Sequence, residues 1–385
     1  MYTISFFPIM SYLVLGAGLM GRALVHDLLV NSGVDDVTVA DMDKAKLDAV
    51  KKKYGKHGLR TVALNAKDKA ETSKLIKGHS ALINATSYTL NIGLTDLAIK
   101  NGCHMCDLGG NMDVVEAQIK RSKDAKKANV TILPNCGLAP GLANVLATWL
   151  MKHLDTPKCV KIFVGGLPQQ PKPPLNYMQL FSMQGLINEY VEPCDAIMKK
   201  KKVKLEPMTD IEEVEFPAPW GKLEAFNTSG GISMMVKTYA GKVETMYYKT
   251  LRFPGHCAIF RTFLDLGFMD YKPVALGDQK VSPRALLEKS LAKYLPKNGP
   301  DATLMRIEAF GQKEGKDTKL VMQMIDRADP ANGMSSMMRT TAFPTSIIAQ
   351  MIVNGRIKER GVFTPEMVVD GADVIKEMKK RRTEL

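Results

Sequence analysis

The most constraining feature of the sequence is a glycine-rich turn that follows a short apolar run near the amino end. Residues 12–15 are apolar, and Gly16, Gly18 and Gly21 follow in the spacing Gly-x-Gly-x-x-Gly. A helical pattern begins immediately afterwards, so the stretch is typical of a strand, a tight turn and a helix start. Backbone N–H groups at such a helix start attract phosphate. The turn therefore predicts an α/β fold that binds a dinucleotide.

A second apolar run, residues 37–40, ends in Asp41. This carboxylate lies about 20 residues beyond the last glycine, where dinucleotide-binding folds place the acid that holds the ribose hydroxyls. No arginine follows Asp41, and the nearest cations are Lys44 and Lys46, so the pattern favours NAD over NADP. The predicted cofactor-binding residues are Gly16, Ala17, Gly18, Leu19, Met20, Gly21, Asp41, Met42, Asn84, Ala85, Thr86, Leu108 and Gly109.

The order of apolar runs predicts two kinds of domain. Strand and helix patterns alternate through the first third of the chain, which is typical of a doubly wound parallel sheet of the Rossmann type. Extended runs then follow one another more closely, which indicates an α+β substrate domain. These runs lie at 233–239, 243–251, 305–310 and 319–326. We expect the Rossmann domain over 11–145, the α+β domain over 146–332, and C-terminal helices over 333–385 that pack back on the Rossmann domain.

Composition narrows the possible partners and location. The chain has 385 residues and no apolar run long enough to span a membrane. Six cysteines show no disulfide framework, and residues 1–10 have no clear signal-peptide features, so we expect a cytoplasmic protein whose first ten residues are an extension. The net charge is +13, but the basic runs 199–202 and 379–382 lack interleaved aromatic residues. They indicate solvated faces rather than a nucleic-acid site.

No motif for a nucleophile or a metal site is present, so the bound cofactor has to carry the difficult step, which suggests hydride transfer. Asp107 ends a predicted strand at the edge where the dinucleotide lies. It could hold a substrate ammonium or act as a base, or it could cap the turn that follows. Sequence reasoning leaves both roles open.

The most informative stretch of the second domain is residues 248–256. A predicted strand delivers Thr250 and Arg252, and the planar guanidinium of an arginine suits a carboxylate. His256 follows in the first turn of a helix, where the helix dipole disfavours imidazolium, so it is expected to be neutral and able to accept a proton. A surface arginine and a capping histidine are the alternatives.

These motifs together resemble those of the saccharopine dehydrogenase-like reductases, most of all the lysine 6-dehydrogenase branch. The resemblance covers nearly the whole chain, and its carriers are residues 16–21, 84–86, 107–111, 137–141, 164–168, 224–231, 249–256 and 361–366. It implies a Rossmann domain completed by C-terminal helices, a substrate domain that also forms a homodimer, and no metal.

The resemblance also implies a reaction, in which NAD oxidises the ε-amine of L-lysine. The imine is hydrolysed to the semialdehyde with release of ammonia, and the product cyclises to piperideine-6-carboxylate. On this hypothesis Arg252 and the adjacent helix start bind the α-carboxylate, and Asp107 or Glu224 binds the α-ammonium. Thr250 is a further substrate-binding residue, and His256 or Asp107 accepts the proton. Dehydrogenation of saccharopine or a carboxynorspermidine-type amine is the nearest alternative. A non-catalytic NAD sensor or nucleic-acid-binding protein is a more distant one.

Overall fold

The structure is a computed structural model that describes residues 10–297 and 299–383. The chain divides into two compact units. Unit 1 contains the residues up to Val145 and those from Met338 to Arg382, and unit 2 contains Leu146–Met337 together with Thr383.

The elements of unit 1 before Val145 alternate between strand and helix. The strands are β1 (Ser11–Leu15), β2 (Asp36–Asp41), β3 (Leu59–Ala63), β4 (Ala81–Asn84), β5 (His104–Asp107) and β6 (Thr131–Leu133). The helices are α1 (Leu19–His26), α2 (Lys44–Tyr54), α3 (Lys69–Ile76), α4 (Asn91–Lys100), α5 (Met112–Ile119) and α6 (Ser122–Lys127), and α7 (Leu142–Met151) runs on into unit 2.

Unit 2 is richer in strands, and the chain then returns to unit 1 through a long helix. Its elements are β7 (Thr156–Pro168), α8 (Met183–Val191), β8 (Cys194–Met198), β9 (Lys201–Leu205), β10 (Glu212–Phe216), β11 (Gly221–Asn227), α9 (Met235–Tyr239), β12 (Thr245–Arg252), α10 (His256–Asp265), β13 (Val274–Leu276), β14 (Gln279–Val281), α11 (Pro283–Tyr294), β15 (Asp301–Lys313) and β16 (Lys316–Arg327). The last elements are α12 (Ser336–Val353), β17 (Gly361–Val362), α13 (Pro365–Val368) and α14 (Gly371–Lys380).

The sheet of unit 1 is parallel throughout, with the strand order β17-β6-β5-β4-β1-β2-β3. Six of these strands have the doubly wound order 3-2-1-4-5-6, which confirms the predicted fold class. The order reverses between β1 and β4, so the crevice for a ligand lies at the carboxyl ends of these two strands. The seventh strand, β17, has only two residues, too few for any periodicity to reveal it.

The C-terminal segment of unit 1 is tied to its first helix by a buried ion pair. Arg381, directly after α14, donates two hydrogen bonds to the carboxylate of Asp27, which lies in a π-helical turn that extends α1. Both side chains are almost completely buried. A buried charge without its partner is strongly unfavourable, so this pair fixes the end of the chain against α1.

The large sheet of unit 2 is mixed. Its main path is β10-β11-β12-β7-β15-β16, with β8 attached to β12 and β9 to β8. All pairs are antiparallel except β12 with β7. The predicted α+β class is confirmed, and three of the four predicted extended runs correspond to β12, β15 and β16.

The predicted strand at 233–239 is wrong, because the chain there forms a turn followed by the short helix α9. Gly230 and Ser233 both have positive φ angles, of 92° and 47°, so this part of the backbone cannot be extended. Its apolar residues Met235 and Val236 are buried as one side of a helix. None of the helices in the described residues is both long enough and apolar enough to cross a membrane.

Candidate active-site residues

The glycine turn of unit 1 connects β1 to α1, and two of its glycines are required by sterics. A Cβ atom on Gly16 would lie 2.8 Å from the carbonyl oxygen of Ala85, and one on Gly21 would lie 1.8 Å from that of Gly16. A Cβ on Gly18 would meet nothing within 4 Å. The turn is therefore closed on its protein side and open above Gly18. This shape suits a pyrophosphate lying against the backbone.

Asp41 ends β2 beside this turn. Its Oδ2 atom accepts a hydrogen bond from the Ala17 N–H at 2.7 Å, and its Oδ1 atom accepts one from the Asp43 N–H at 2.8 Å. The carboxylate is half-buried, so it is held in place and still keeps lone pairs for further donors. These properties fit the two hydroxyls of an adenosine ribose. Met42, the next predicted cofactor residue, is 74% exposed.

The end of β4 lies on the other side of the glycine turn. Asn84 is buried, and its Oδ1 atom accepts hydrogen bonds from the Thr86 N–H and the Thr86 hydroxyl, at 3.0 and 2.6 Å. Its amide nitrogen donates to Asn91 at 2.6 Å. Asn84 is therefore an internal support for the turn, whereas Ala85 is half-buried and Thr86 is exposed.

Asp107 ends β5, and its carboxylate is fully engaged with the protein. Oδ1 accepts from the backbone N–H groups of Gly109 and Asn135, at 2.8 and 3.2 Å, and Oδ2 accepts from the Gln118 amide at 2.8 Å. Burial raises the pKa of Asp107, while these three donors favour its ionised form. The side chain is 1% exposed. The geometry therefore shows the turn-capping role that sequence reasoning had left open.

In unit 2, Thr250 and Arg252 lie two residues apart on β12 and therefore share one face of the sheet. The Thr250 hydroxyl lies 2.7 Å from that of Thr228. Arg252 is 3% exposed and donates from Nε to the Tyr190 hydroxyl at 2.9 Å and from Nη1 to the Leu251 carbonyl oxygen at 2.9 Å. Its hydrogen-bond partners here are neutral, so its charge is free to attract an anion.

His256 begins α10 and belongs to the same network. Its Nδ1 atom lies 2.9 Å from the Leu175 carbonyl oxygen, and its Nε2 atom lies 3.0 Å from the Tyr190 hydroxyl. A carbonyl oxygen can only accept, so Nδ1 carries the hydrogen, and Tyr190 donates to Nε2. Burial, and then the charge of Arg252, lower the pKa of His256 to about 3. The imidazole is thus neutral, as its helix position had predicted.

Glu224 makes contacts different from those expected of a substrate-binding acid. Its two carboxylate oxygens accept hydrogen bonds from the backbone N–H groups of Gly255 and Cys257, at 2.9 and 2.6 Å. These groups are unsatisfied donors at the start of α10, so the Glu224 carboxylate caps this helix from the neighbouring strand β11. In this structure it is a helix cap.

Three residues near Arg252 were missed by sequence reasoning: Tyr177, Glu189 and Tyr190. The Tyr177 ring lies 4.9 Å from the guanidinium carbon of Arg252. Burial raises the pKa of Glu189 to about 7, and the nearby charge of Arg252 opposes this shift. Apolar residues at helical spacing from 183 to 190 could have predicted α8. Nothing in the sequence places that helix beside β12.

Two family models match this chain, one to each part of it. The family model described as the NADP binding domain of saccharopine dehydrogenase matches residues 12–133. The model described as the C-terminal domain of saccharopine dehydrogenase matches residues 137–383.

The chain belongs to the saccharopine dehydrogenase family. It is therefore a member of a family of NAD(P)-dependent oxidoreductases, and unit 1 contains its nicotinamide-cofactor-binding domain. This finding confirms the resemblance to the saccharopine dehydrogenase-like reductases and the prediction of an enzyme, whereas the lysine 6-dehydrogenase branch stays a prediction.

Individual relatives of this saccharopine dehydrogenase family member are distant. The mitochondrial alpha-aminoadipic semialdehyde synthase of Bos taurus is 22% identical over 92% of this chain and 45% of its own length, so the chain spans about half of that relative. The carboxyaminopropylagmatine dehydrogenase of Synechocystis is also 22% identical, over 92% of each chain. The solved structure of saccharopine dehydrogenase (L-Glu forming) from Saccharomyces cerevisiae superposes with a TM-score of 0.79 at 18% identity, covering 97% of both chains. The structural likeness shows a shared fold.

Proposed function

We propose that the protein catalyses the NAD-dependent oxidative deamination of the ε-amine of L-lysine, which releases ammonia and NADH and gives the semialdehyde that cyclises to piperideine-6-carboxylate. The observation that carries the proposal is the guanidinium of Arg252, a buried cation whose hydrogen-bond acceptors are neutral. Such a group attracts the carboxylate of an amino acid. Membership of the saccharopine dehydrogenase family supports amine oxidation as the reaction type.

Asp41 supports NAD as the cofactor. A carboxylate that accepts the ribose hydroxyls of NAD repels the 2′-phosphate of NADP. Lys46 forms an ion pair with Asp43 at 3.4 Å and is therefore less available to offset this repulsion. When bound, NAD accepts the hydride from the carbon that carries the amine. The matched family model is named for NADP, so the preference for NAD depends on Asp41 of this chain.

The substrate residues have different roles in this proposal from those first assigned. Arg252 binds the α-carboxylate, and Thr250 and Thr228 lie along the same strand face. Since Glu224 caps α10 and Asp107 caps its own turn, neither is assigned to the α-ammonium. His256 acts through Tyr190, because its Nε2 atom already accepts a hydrogen bond from the Tyr190 hydroxyl. The ε-amine has a pKa of about 10.4 in water and must be neutral to react, so activity rises toward alkaline pH.

The second candidate is the dehydrogenation of a secondary amine that carries carboxylates, such as saccharopine. The names of the Saccharomyces and Synechocystis proteins and the net charge of +13 favour it. Such a substrate needs a second cation beyond Arg252. The sequence offers Arg261 and Arg339 for that purpose, although the structure pairs Arg261 with Glu206 and Asp265.

The test is a measurement of NADH or NADPH formation at 340 nm with L-lysine, saccharopine, ornithine and carboxynorspermidine, each with NAD and with NADP. We expect the highest kcat/KM with L-lysine and NAD. Asp41→Ser is expected to narrow the preference for NAD over NADP by about 10-fold, through loss of hydrogen bonds to a charged acceptor. A higher kcat/KM with saccharopine would move the assignment to the second candidate.

Arg252→Met tests the role of the guanidinium. Loss of a charge-assisted hydrogen bond of about 1.5–3 kcal/mol predicts that kcat/KM for L-lysine falls by about 10- to 150-fold. The value for cadaverine, which lacks the carboxylate, is expected to stay within about 3-fold. Arg60→Met, which changes an exposed arginine paired with Asp36, is the control. An equal loss for both substrates would contradict the carboxylate assignment.

The homodimer, the cytoplasmic location and the lack of nucleic-acid and membrane partners stay predictions. The resemblance supports the homodimer, and the molar mass of the protein in solution measures it directly. Salt-dependent DNA binding with a steep slope would contradict the expectation for the basic runs.

A further inference from the structure

Arg252 on β12 and Glu189 on α8 carry opposite charges that do not pair with each other. Arg252 donates to the Tyr190 hydroxyl and the Leu251 carbonyl oxygen, both neutral. Glu189 on α8 is half-buried, and among the described residues neither a hydrogen bond nor an ion pair reaches its carboxylate. Glu189 directly precedes Tyr190, whose hydroxyl accepts a hydrogen bond from Arg252, so α8 brings the two charges into one region, and each acts on the pKa of the other group. Opposite charges in a partly buried site are unfavourable until both find partners, which a ligand with both charges can supply.

A buried hydroxyl next to these charges also has no partner. Tyr177 is 1% exposed, and its hydroxyl oxygen has no hydrogen bond within the described part of the chain. Its ring lies 4.9 Å from the guanidinium carbon of Arg252, and both Arg252 and Glu189 influence the pKa of the hydroxyl. Buried polar groups are almost always hydrogen-bonded. The Tyr177 hydroxyl is therefore available to a ligand that Arg252 holds.

Three other carboxylates near β12 already have partners. Glu224 caps α10. Asp210 and Glu212 both pair with Lys249, each at 2.8 Å. Lys249 alternates with Thr250 along β12 and so lies on the opposite face of the sheet from Arg252. Unlike these three acids, Glu189 has a carboxylate that accepts no hydrogen bond from the described residues.

We propose that Arg252, Tyr177 and Glu189 form a binding site for the zwitterionic α-amino-acid group of the substrate. The α-carboxylate accepts hydrogen bonds from the Arg252 guanidinium and the Tyr177 hydroxyl, and the α-ammonium donates to Glu189. The identity of the substrate rests on the proposed function, whereas the site itself requires only an α-amino acid. A diamine lacks the carboxylate and an ω-amino acid lacks the α-ammonium, so each pairs with only one of the two protein charges. The site therefore selects against both kinds of ligand.

L-norleucine separates recognition from catalysis, because it has the α-amino-acid group of lysine but no ε-amine to oxidise. Its affinity for the NAD-loaded protein is measured by isothermal titration calorimetry. Glu189→Gln is expected to weaken binding at least about 10-fold, and Tyr177→Phe about 3- to 10-fold. Glu206→Gln is the matched control, since Glu206 is 61% exposed and pairs with Arg261 at 2.9 Å. It is expected to leave the affinity unchanged.

Kinetics with 6-aminohexanoate, which lacks the α-ammonium, provide the second measurement. Glu189→Gln is expected to raise the KM for L-lysine and leave that for 6-aminohexanoate unchanged, with partial recovery in Glu189→Asp. Unchanged norleucine affinity in Glu189→Gln overturns the site, as does absence of norleucine binding by the unmodified protein. Norleucine binding that depends on Glu189, in a protein that does not oxidise lysine, supports the site and rejects lysine as substrate.

Discussion

The glycine turn of unit 1 and the Arg252 face of unit 2 are built in different ways. Backbone groups and one acid, Asp41, form the first, and they come mainly from one stretch, residues 12–41. Side chains from three separate segments, around Tyr177, Tyr190 and Arg252, form the second. A site made of backbone tolerates many changes in neighbouring side chains, whereas a network of buried side chains depends on every member.

The largest expected effect tests whether the glycine turn depends on backbone sterics. Gly21→Ala places a Cβ at 1.8 Å from the Gly16 carbonyl oxygen, so the turn must move. We expect the free energy of unfolding to fall by about 3 kcal/mol, at the upper end for overpacking. Urea unfolding measures it.

Gly18→Ala is the matched variant, because its Cβ meets nothing within 4 Å. Its stability is expected to stay within about 0.5 kcal/mol of the unmodified protein, since exposed substitutions seldom change more. NADH affinity, followed by fluorescence, is expected to fall at least about 10-fold, because the methyl group occupies the space above the turn. Equal stability losses in the two variants would show that sterics do not distinguish these glycines.

The second prediction tests the side-chain network of unit 2. Tyr190→Phe removes the acceptor of Arg252 Nε and the donor to His256 Nε2, and it leaves both atoms buried. An unsatisfied buried polar group costs about 1–3 kcal/mol, so we expect the free energy of unfolding to fall by about 2 kcal/mol. Because Tyr190 positions Arg252, we also expect KM for L-lysine to rise more than kcat falls.

The control for Tyr190→Phe is Tyr294→Phe, since Tyr294 is 75% exposed. It is expected to leave both stability and KM unchanged. A Tyr190→Phe protein as stable as the control would mean that the network contributes nothing to folding.

The smallest expected effect is the change in stability per pH unit that comes from two histidines with lowered pKa values, one in each unit. The pKa of His256 is lowered to about 3 by burial and by Arg252, so below pH 6.5 the unfolded state binds a proton first. Stability therefore falls as pH drops, by up to about 1.4 kcal/mol per pH unit between pH 6.5 and 3. Relative to His256→Gln, the unmodified protein is expected to lose about 2 kcal/mol between pH 6.5 and 5.

The comparison with His256→Gln is needed because Glu189 changes the stability with pH in the opposite direction. Its raised pKa of about 7 makes stability fall as pH rises from about 4.5 to 7. In unit 1, burial lowers the pKa of His104 to about 4. The matched variant His104→Gln should therefore give a similar pH dependence over pH 6.5–5. If the stability difference between the unmodified protein and His256→Gln did not change with pH, this would contradict the buried neutral imidazole.

Much of unit 1 could be predicted, because its features are local. The spacing of Gly16, Gly18 and Gly21 and the position of Asp41 follow from chain neighbours. The class of the sheet, parallel and doubly wound, followed from the alternation of strands and helices. The two-residue strand β17 could not be predicted, since its pairing with β6 depends on contacts with residues more than two hundred positions away.

The residues of unit 2 were predicted only in part, for the same physical reason. Arg252 and His256 were singled out because they share one strand-to-helix stretch. Their partners Tyr177, Glu189 and Tyr190 come from segments that packing alone brings to β12. Glu224 was predicted to bind the substrate, but from its position on β11 it caps the helix α10.

The sequence by itself determined a dinucleotide-binding parallel fold, the family and the position of the acid at the end of β2 beside the glycine turn, because glycine spacing and strand periodicity act over a few residues. Only the tertiary structure decided which carboxylates are free. Asp107 and Glu224 are both occupied by backbone donors, whereas Glu189 has no partner among the described residues. Hydrogen-bond capacity depends on which groups folding brings together.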